Sequence, residues 1–168
     1  MYLEIHSADM FLYGEEDQMG WNIKCCEGCA QSSFANNIVD LLHENRDADG
    51  WFVNNICGHK GYIEKNFELQ EEGETWEPFL KGAIELGDPS ATYQPFVFLV
   101  SYKQDEKPES VWFSYYKDLR KDGGRLKLGY GPGGPPVLNK PSLLLLLEKL
   151  IKSDLLNKED MHKMISET

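Results

Sequence analysis

The chain has 168 residues, of which 28 are acidic and 17 basic, for a formal net charge of −11. Residues 1–80 hold 16 acids against 4 bases, a net of −12, while residues 81–168 hold 12 against 13. A front half this acidic repels a phosphate backbone, so nucleic acid and anionic membranes are disfavoured as partners of the whole molecule.

At 41% hydrophobic and 12% aromatic the composition is that of an ordinary globular protein, not a disordered one. A chain of this length buries roughly 70% of its unfolded surface, so it needs no staple to fold. The opening residues carry neither a basic leader nor an apolar signal core, which predicts a cytoplasmic location. The longest apolar run, 143–147, is far too short to span a bilayer.

In chain order, residues 2–6 alternate weakly and predict an edge strand, and 21–24 a short strand leading into the cysteines. Ser32 or Ser33 can cap a helix over 34–45, with Phe34, Ile38, Leu41 and Leu42 on one face. Residues 51–56 and 61–69 read as strands. Thr75 can cap a second helix to Leu86, with Trp76, Leu80, Ala83 and Ile84 on its buried face. Residues 96–102 are almost all apolar and predict a central strand. Residues 111–117 and 125–130 read as strands joined through Asp122-Gly-Gly124, a hairpin signal. The segment 131–136 is rich in glycine and proline and predicts a rigid loop. Pro141 and Ser142 open a helix to Lys152, and 155–165 predicts a last short one.

This order predicts an α+β fold: a mainly antiparallel sheet with two packed helices over 1–138, then a C-terminal helical pair over 139–168.

All four cysteines, Cys25, Cys26, Cys29 and Cys57, lie in the acidic half. In a reducing compartment they point to metal, redox chemistry or inert thiols rather than structural disulfides. Cys26-Glu-Gly-Cys29 has the two-residue gap that lets two thiolates converge on one ion from a tight turn. Cys57-Gly58-His59 follows in a predicted strand-to-strand turn. Cys26, Cys29, Cys57 and His59 would make a closed Cys₃His set for a structural zinc ion, with Cys25 able to replace Cys26. The alternatives are buried thiols beside a surface histidine, or a redox pair.

Cys26-Glu-Gly-Cys29-Ala30 resembles a zinc-ribbon or rubredoxin-like knuckle. The resemblance covers residues 25–59 and implies a second knuckle at Asn54-Asn-Ile-Cys57-Gly58. Asn54 stands where that pattern has a cysteine, so either His59 supplies the fourth ligand or the site is degenerate. Residues 21–24, Cys26–Cys29 and the following helix also resemble the strand–CxxC–helix order of thioredoxin-like proteins. That likeness implies a thiol–disulfide oxidoreductase using Cys26 and Cys29. Against it, a helix capped at Ser32 or Ser33 starts after Cys29 and cannot lower the first thiol's pKa.

Residues 117–127 carry five bases against two acids among flanking aromatics, a pattern that suits either single-stranded nucleic acid or, better, a charged hairpin tip. The glycines of 129–134 lack the following Lys-Ser/Thr and the immediate helix of a phosphate loop. The glutamates between Glu64 and Glu77 read as a solvated run. The Leu-rich helix from 142 is apolar almost all round and predicts an interface, with a protein partner or a second copy of the chain. The sequence thus points to a non-enzymatic, zinc-stabilised binding module.

Overall fold

In the computed structural model, which describes residues 20–64, 67–68, 75–88, 90–104, 106–129, 140–153 and 155–166, nine strands and three α-helices are placed. Trp21–Cys25 alternates buried and exposed side chains and forms β1; Ser33–Ala35 forms β2 and Ile38–Glu44 forms α1. Then come β3 (Gly61–Glu64), β4 (Phe67–Glu68), β5 (Thr75–Trp76), β6 (Phe79–Glu85) and β7 (Tyr93–Ser101). The chain continues through β8 (Ser110–Asp118), a 3₁₀ turn (Arg120–Asp122), β9 (Leu126–Leu128), α2 (Lys140–Lys152) and α3 (Lys158–Ser166). Seven strands form one sheet in the order β2-β1-β3-β6-β7-β8-β9, every pair antiparallel, and β4 pairs with β5 separately. The fold is therefore α+β on an antiparallel sheet. The expected strand at 2–6 and the loop at 131–136 lie outside the described residues.

β7 explains why the sheet is buried on both faces. Phe96, Phe98 and Val100 pack in one apolar cluster with Trp21, Ile23, Phe52 and the Ile38, Leu41 and Leu42 face of α1. The alternate residues Val97 and Leu99 pack in a second cluster with Ile84, Leu86 and the α2 residues Leu146 and Leu150. Successive strand side chains point to opposite faces, so a strand covered on both must be apolar throughout. Burying each such side chain contributes about 1.5–3 kcal/mol.

Two expectations are corrected. The helix expected from Thr75 to Leu86 is instead the strands β5 and β6. The register of β6 against β7 shifts between Leu80 and Gly82. That bulge puts Leu80 and Ala83 in the same cluster, three residues apart, while Ile84 joins the other. A bulged, doubly buried strand thus copies the apolar spacing of a helix. The segment 51–56, expected as a strand, makes only isolated bridges, Trp51 to Gly82 and Val53 to Lys60, with Phe52 bridging Arg46.

The helix expected over 34–45 begins later. Phe34 lies in β2 with its side chain 62% exposed, and the cap is Asn37, not a serine. Asn37 Oδ1 accepts from the Val39 and Asp40 backbone N–H groups at 2.9 and 3.1 Å. Asn37→Ala is expected to lower stability by about 1 kcal/mol, which a urea titration would resolve.

A polar junction ties α1 to the sheet. Arg46 donates to Glu85 at 2.8 Å and to the Ala83 carbonyl at 2.9 Å, and His43 Nε2 lies 3.1 Å from Glu85. The Tyr116 hydroxyl donates to Glu85 at 3.4 Å, and burial followed by the Glu85 charge pushes its pKa up to about 12. No helix among the described residues is long and apolar enough to cross a membrane.

Candidate metal centre

β1 ends at Cys25, which is paired with Gly61 at the start of β3. The Cys26 N–H donates to the Lys60 carbonyl at 3.0 Å, so the chain leaves β1 directly beside the loop that precedes β3. That loop is a narrow excursion from 52 to 61. Gly61 N–H donates to the Phe52 carbonyl at 2.8 Å and Asn54 N–H to the His59 carbonyl at 2.9 Å. Within it the Cys57 and Gly58 N–H groups turn back onto the Asn54 carbonyl at 3.2 and 2.7 Å. Both cysteine turns contain a glycine at positive φ, Gly28 at 72° and Gly58 at 74°, a conformation side chains with a Cβ rarely adopt.

The two turns bring three donor atoms together. The sulfurs of Cys25 and Cys57 and a ring nitrogen of His59 all lie within 4.8 Å of one another, a group that could hold a metal ion. Cys25 Sγ lies 4.0 Å from His59 Nδ1. Cys29 adjoins the group, its thiol 3.3 Å from Cys57 Sγ. A tetrahedral ion about 2.3 Å from each sulfur sets neighbouring ligand atoms roughly 3.8 Å apart, so these spacings suit one.

Of the four residues expected as ligands, Cys57 and His59 belong to this group, Cys29 lies beside it against Cys57, and Cys26 is not among its donors. Cys26 is exposed, and Cys25, 4% exposed, takes the inward position. The reason is strand alternation: Trp21, Ile23 and Cys25 of β1 all point to the buried side, and the next residue points outward. None of the four cysteines is in a disulfide.

Hydrogen bonds set the electrostatics. The Cys29 backbone N–H donates toward the Cys25 sulfur and is the main reason its pKa is lowered to about 6. The Glu27 N–H, 3.3 Å away, and the Cys29 and Cys57 thiols act in the same sense, against burial. The Cys29 thiol is pushed up to about 11, first by Cys57 and then by Cys25. The neighbouring sulfurs thus disfavour the Cys29 thiolate, and a cation bound beside it would favour that thiolate.

Asn54 occupies the position at which a second knuckle would carry a cysteine. It is fully buried, and its Oδ1 accepts from the Ile56 N–H at 3.0 Å. That bond has the same two-residue spacing as the one from Glu27 N–H to Cys25 Sγ. Its Nδ2 donates to the carbonyls of Ile23 and Gln31 at 3.2 and 2.9 Å, which ties the second turn to the first. Asn54 therefore shapes the turn, and His59 brings a ring nitrogen within 4.8 Å of the Cys25 and Cys57 sulfurs. Sequence reasoning did not foresee the contact of Glu27 with His59, whose Nδ1 lies 3.4 Å from the carboxylate. A glutamate between two cysteines of an acidic segment carries no separate signal.

The thioredoxin-like arrangement lacks its central feature here. α1 opens at Ile38, after β2, so neither Cys26 nor Cys29 sits at a helix N-terminus. Lys117 to Lys127 forms the β8–β9 turn, where Arg120 is paired with Asp118 at 2.7 Å. Comparison with family models, curated proteins and solved structures finds no match for the chain.

Proposed function

We propose that the protein is a non-enzymatic interaction module stabilised by a structural zinc ion held by Cys25, Cys29, Cys57 and His59. The observation that carries this reading is the convergence of the Cys25, Cys57 and His59 donor atoms within 4.8 Å, with Cys29 against Cys57. Thiolate and imidazole are the donors zinc takes in structural sites, and four protein ligands leave no open position for a reacting water. Three thiolates and one zinc ion add about −1 to the acidic half, which keeps its repulsion of polyanions.

The partner would be another protein, or a second copy of the chain. Leu143 and Leu144 of α2 are 47% and 56% exposed, while Leu146 and Leu150 of the same helix are buried against the sheet. The outer side of this helix within the C-terminal helical pair is the surface we assign to the partner. A cytoplasmic, reducing location would keep the thiols available to the metal.

The test is elemental analysis of the untagged protein with free-thiol titration. One zinc per chain is expected, lost in Cys25→Ser and Cys57→Ser and retained in Cys26→Ser. A metal-free protein, or a Cys26→Ser variant that loses zinc while Cys25→Ser keeps it, would overturn this ligand set.

A further inference from the structure

We infer that Cys29 and Cys57 are a redox-modification site: a peroxide joins them as a reversible disulfide and so releases the ion. The inference rests on the metal reading for the released zinc, but the pairing itself rests only on where the two sulfurs lie.

Three observations select this pair. First, the Cys29 and Cys57 sulfurs are 3.3 Å apart, already in contact, and Cys25 Sγ lies 4.0 Å from His59 Nδ1. A disulfide needs about 2.05 Å, so the sulfurs must close by about 1.3 Å. Second, Cys29 and Cys57 are partly exposed, whereas Cys25 is buried, so of the three clustered sulfurs a small oxidant in solution reaches this pair first. Third, the turns have room to adjust. The glycines beside these cysteines, Gly28 and Gly58, have no neighbouring atom within 4 Å of where a Cβ would stand. Each turn is tied down elsewhere, by Asn54 Nδ2 to the Gln31 carbonyl on one side of the pair and by Cys26 N–H to Lys60 on the other. The two sulfurs therefore stay opposed while their side chains rotate.

The step balances with hydrogen peroxide as the oxidant. One thiolate attacks, the O–O bond breaks, and an S–O bond forms to give a sulfenic acid and, with a proton from solvent, water. The second thiolate attacks that sulfur, the S–O bond breaks, the S–S bond forms, and a second water leaves with another solvent proton. The two sulfurs have lost two electrons and the peroxide has gained them. A disulfide sulfur is no longer an anionic ligand, so the ion keeps only Cys25 and His59 and dissociates.

The experiment treats the zinc-loaded full chain with a small excess of hydrogen peroxide, follows zinc with a chromophoric chelator, and maps tryptic peptides without reduction. Cleavage after Lys24, Arg46 and Lys60 puts Cys25, Cys26 and Cys29 in one peptide and Cys57 in another. One zinc is expected to be released per cross-link between these peptides, with fragmentation placing the link at Cys29. Cys26→Ser is expected to behave as the parent and Cys57→Ser to give no cross-link. Dithiothreitol with added zinc restores the starting state. Oxidation that stops at sulfinic acids, or that pairs Cys26 with another cysteine, would overturn the inference. A cross-link at Cys29–Cys57 in protein purified without zinc would defeat the metal reading and leave the redox pair standing.

Discussion

Stripping the ion with a chelator at neutral pH is expected to lower the unfolding temperature of the full chain by roughly 8–16 °C. The figure follows from mass action: a ligand at 1,000 times its dissociation constant stabilises by about 4 kcal/mol, and each kcal/mol shifts a domain of this size by about 2–4 °C. The loss should be local before it is global. Among residues 26–32 and 55–60 all but Cys29 and Cys57 are exposed, so the turns have little apolar burial of their own. The two clusters that carry the sheet contain neither turn. Hydrogen exchange should therefore speed up in these two turns on metal removal while β6, β7 and β8 stay protected. A stripped protein with an unchanged midpoint and unchanged exchange would show that no ion contributes to the fold.

Substitution of Gly82 should cost more than that of any exposed glycine. It lies in β6 where the chain at Gly50 and Trp51 runs antiparallel beside that strand. A Cβ at position 82 would stand 2.3 Å from the Gly50 carbonyl oxygen and 3.0 Å from the Trp51 Cα, both backbone atoms that cannot swing aside. The segment 50–52 would have to lift. That strains Ala83 N–H to the Gly50 carbonyl and Phe52 N–H to the Lys81 carbonyl, now 2.8 and 2.9 Å. It also draws out Phe52, which is fully buried in the larger cluster. Overpacking of this kind costs about 2–3 kcal/mol for Gly82→Ala, and more for Gly82→Val. The same segment leads into Asn54, so zinc content should fall along with stability. Chemical denaturation of Gly82→Ala within about 0.5 kcal/mol of the parent would mean that the pairing of 50–52 with β6 is looser than its geometry says.

The α+β class, the strand at Tyr93–Ser101 and the β8–β9 hairpin were legible because each rests on local signals. An apolar run fits a covered strand, and Asp-Gly-Gly fits a turn, here with Gly123 at φ 73°. β6 was not legible because its bulge borrows the spacing of a helix, although Gly82 in mid-segment was the available clue. The start of α1 was misplaced because Ser32, Ser33 and Asn37 are all competent caps, and only pairing of Ser33 with Ile23 decides among them. At the candidate site, spacing named Cys29, Cys57 and His59. Choosing between Cys25 and Cys26 needed the phase of β1, which the short run before the cysteines did not fix. The role of Asn54 needed tertiary contacts with Ile23 and Gln31.

The order of strands in the sheet has a consequence for how fast the molecule comes apart. β6, β7 and β8 are neighbours in both sequence and space, so their pairing closes short loops and can form early in folding. The cysteine turns meet across 28 positions, and only after β1 has found β3. Contacts of that span form late, on the native side of the folding barrier. An ion bound there would leave the folding rate almost untouched and act on the unfolding rate instead. Its main effect would be on the lifetime of the native state: the loaded chain would stay folded far longer than the stripped one, even where both refold at the same speed.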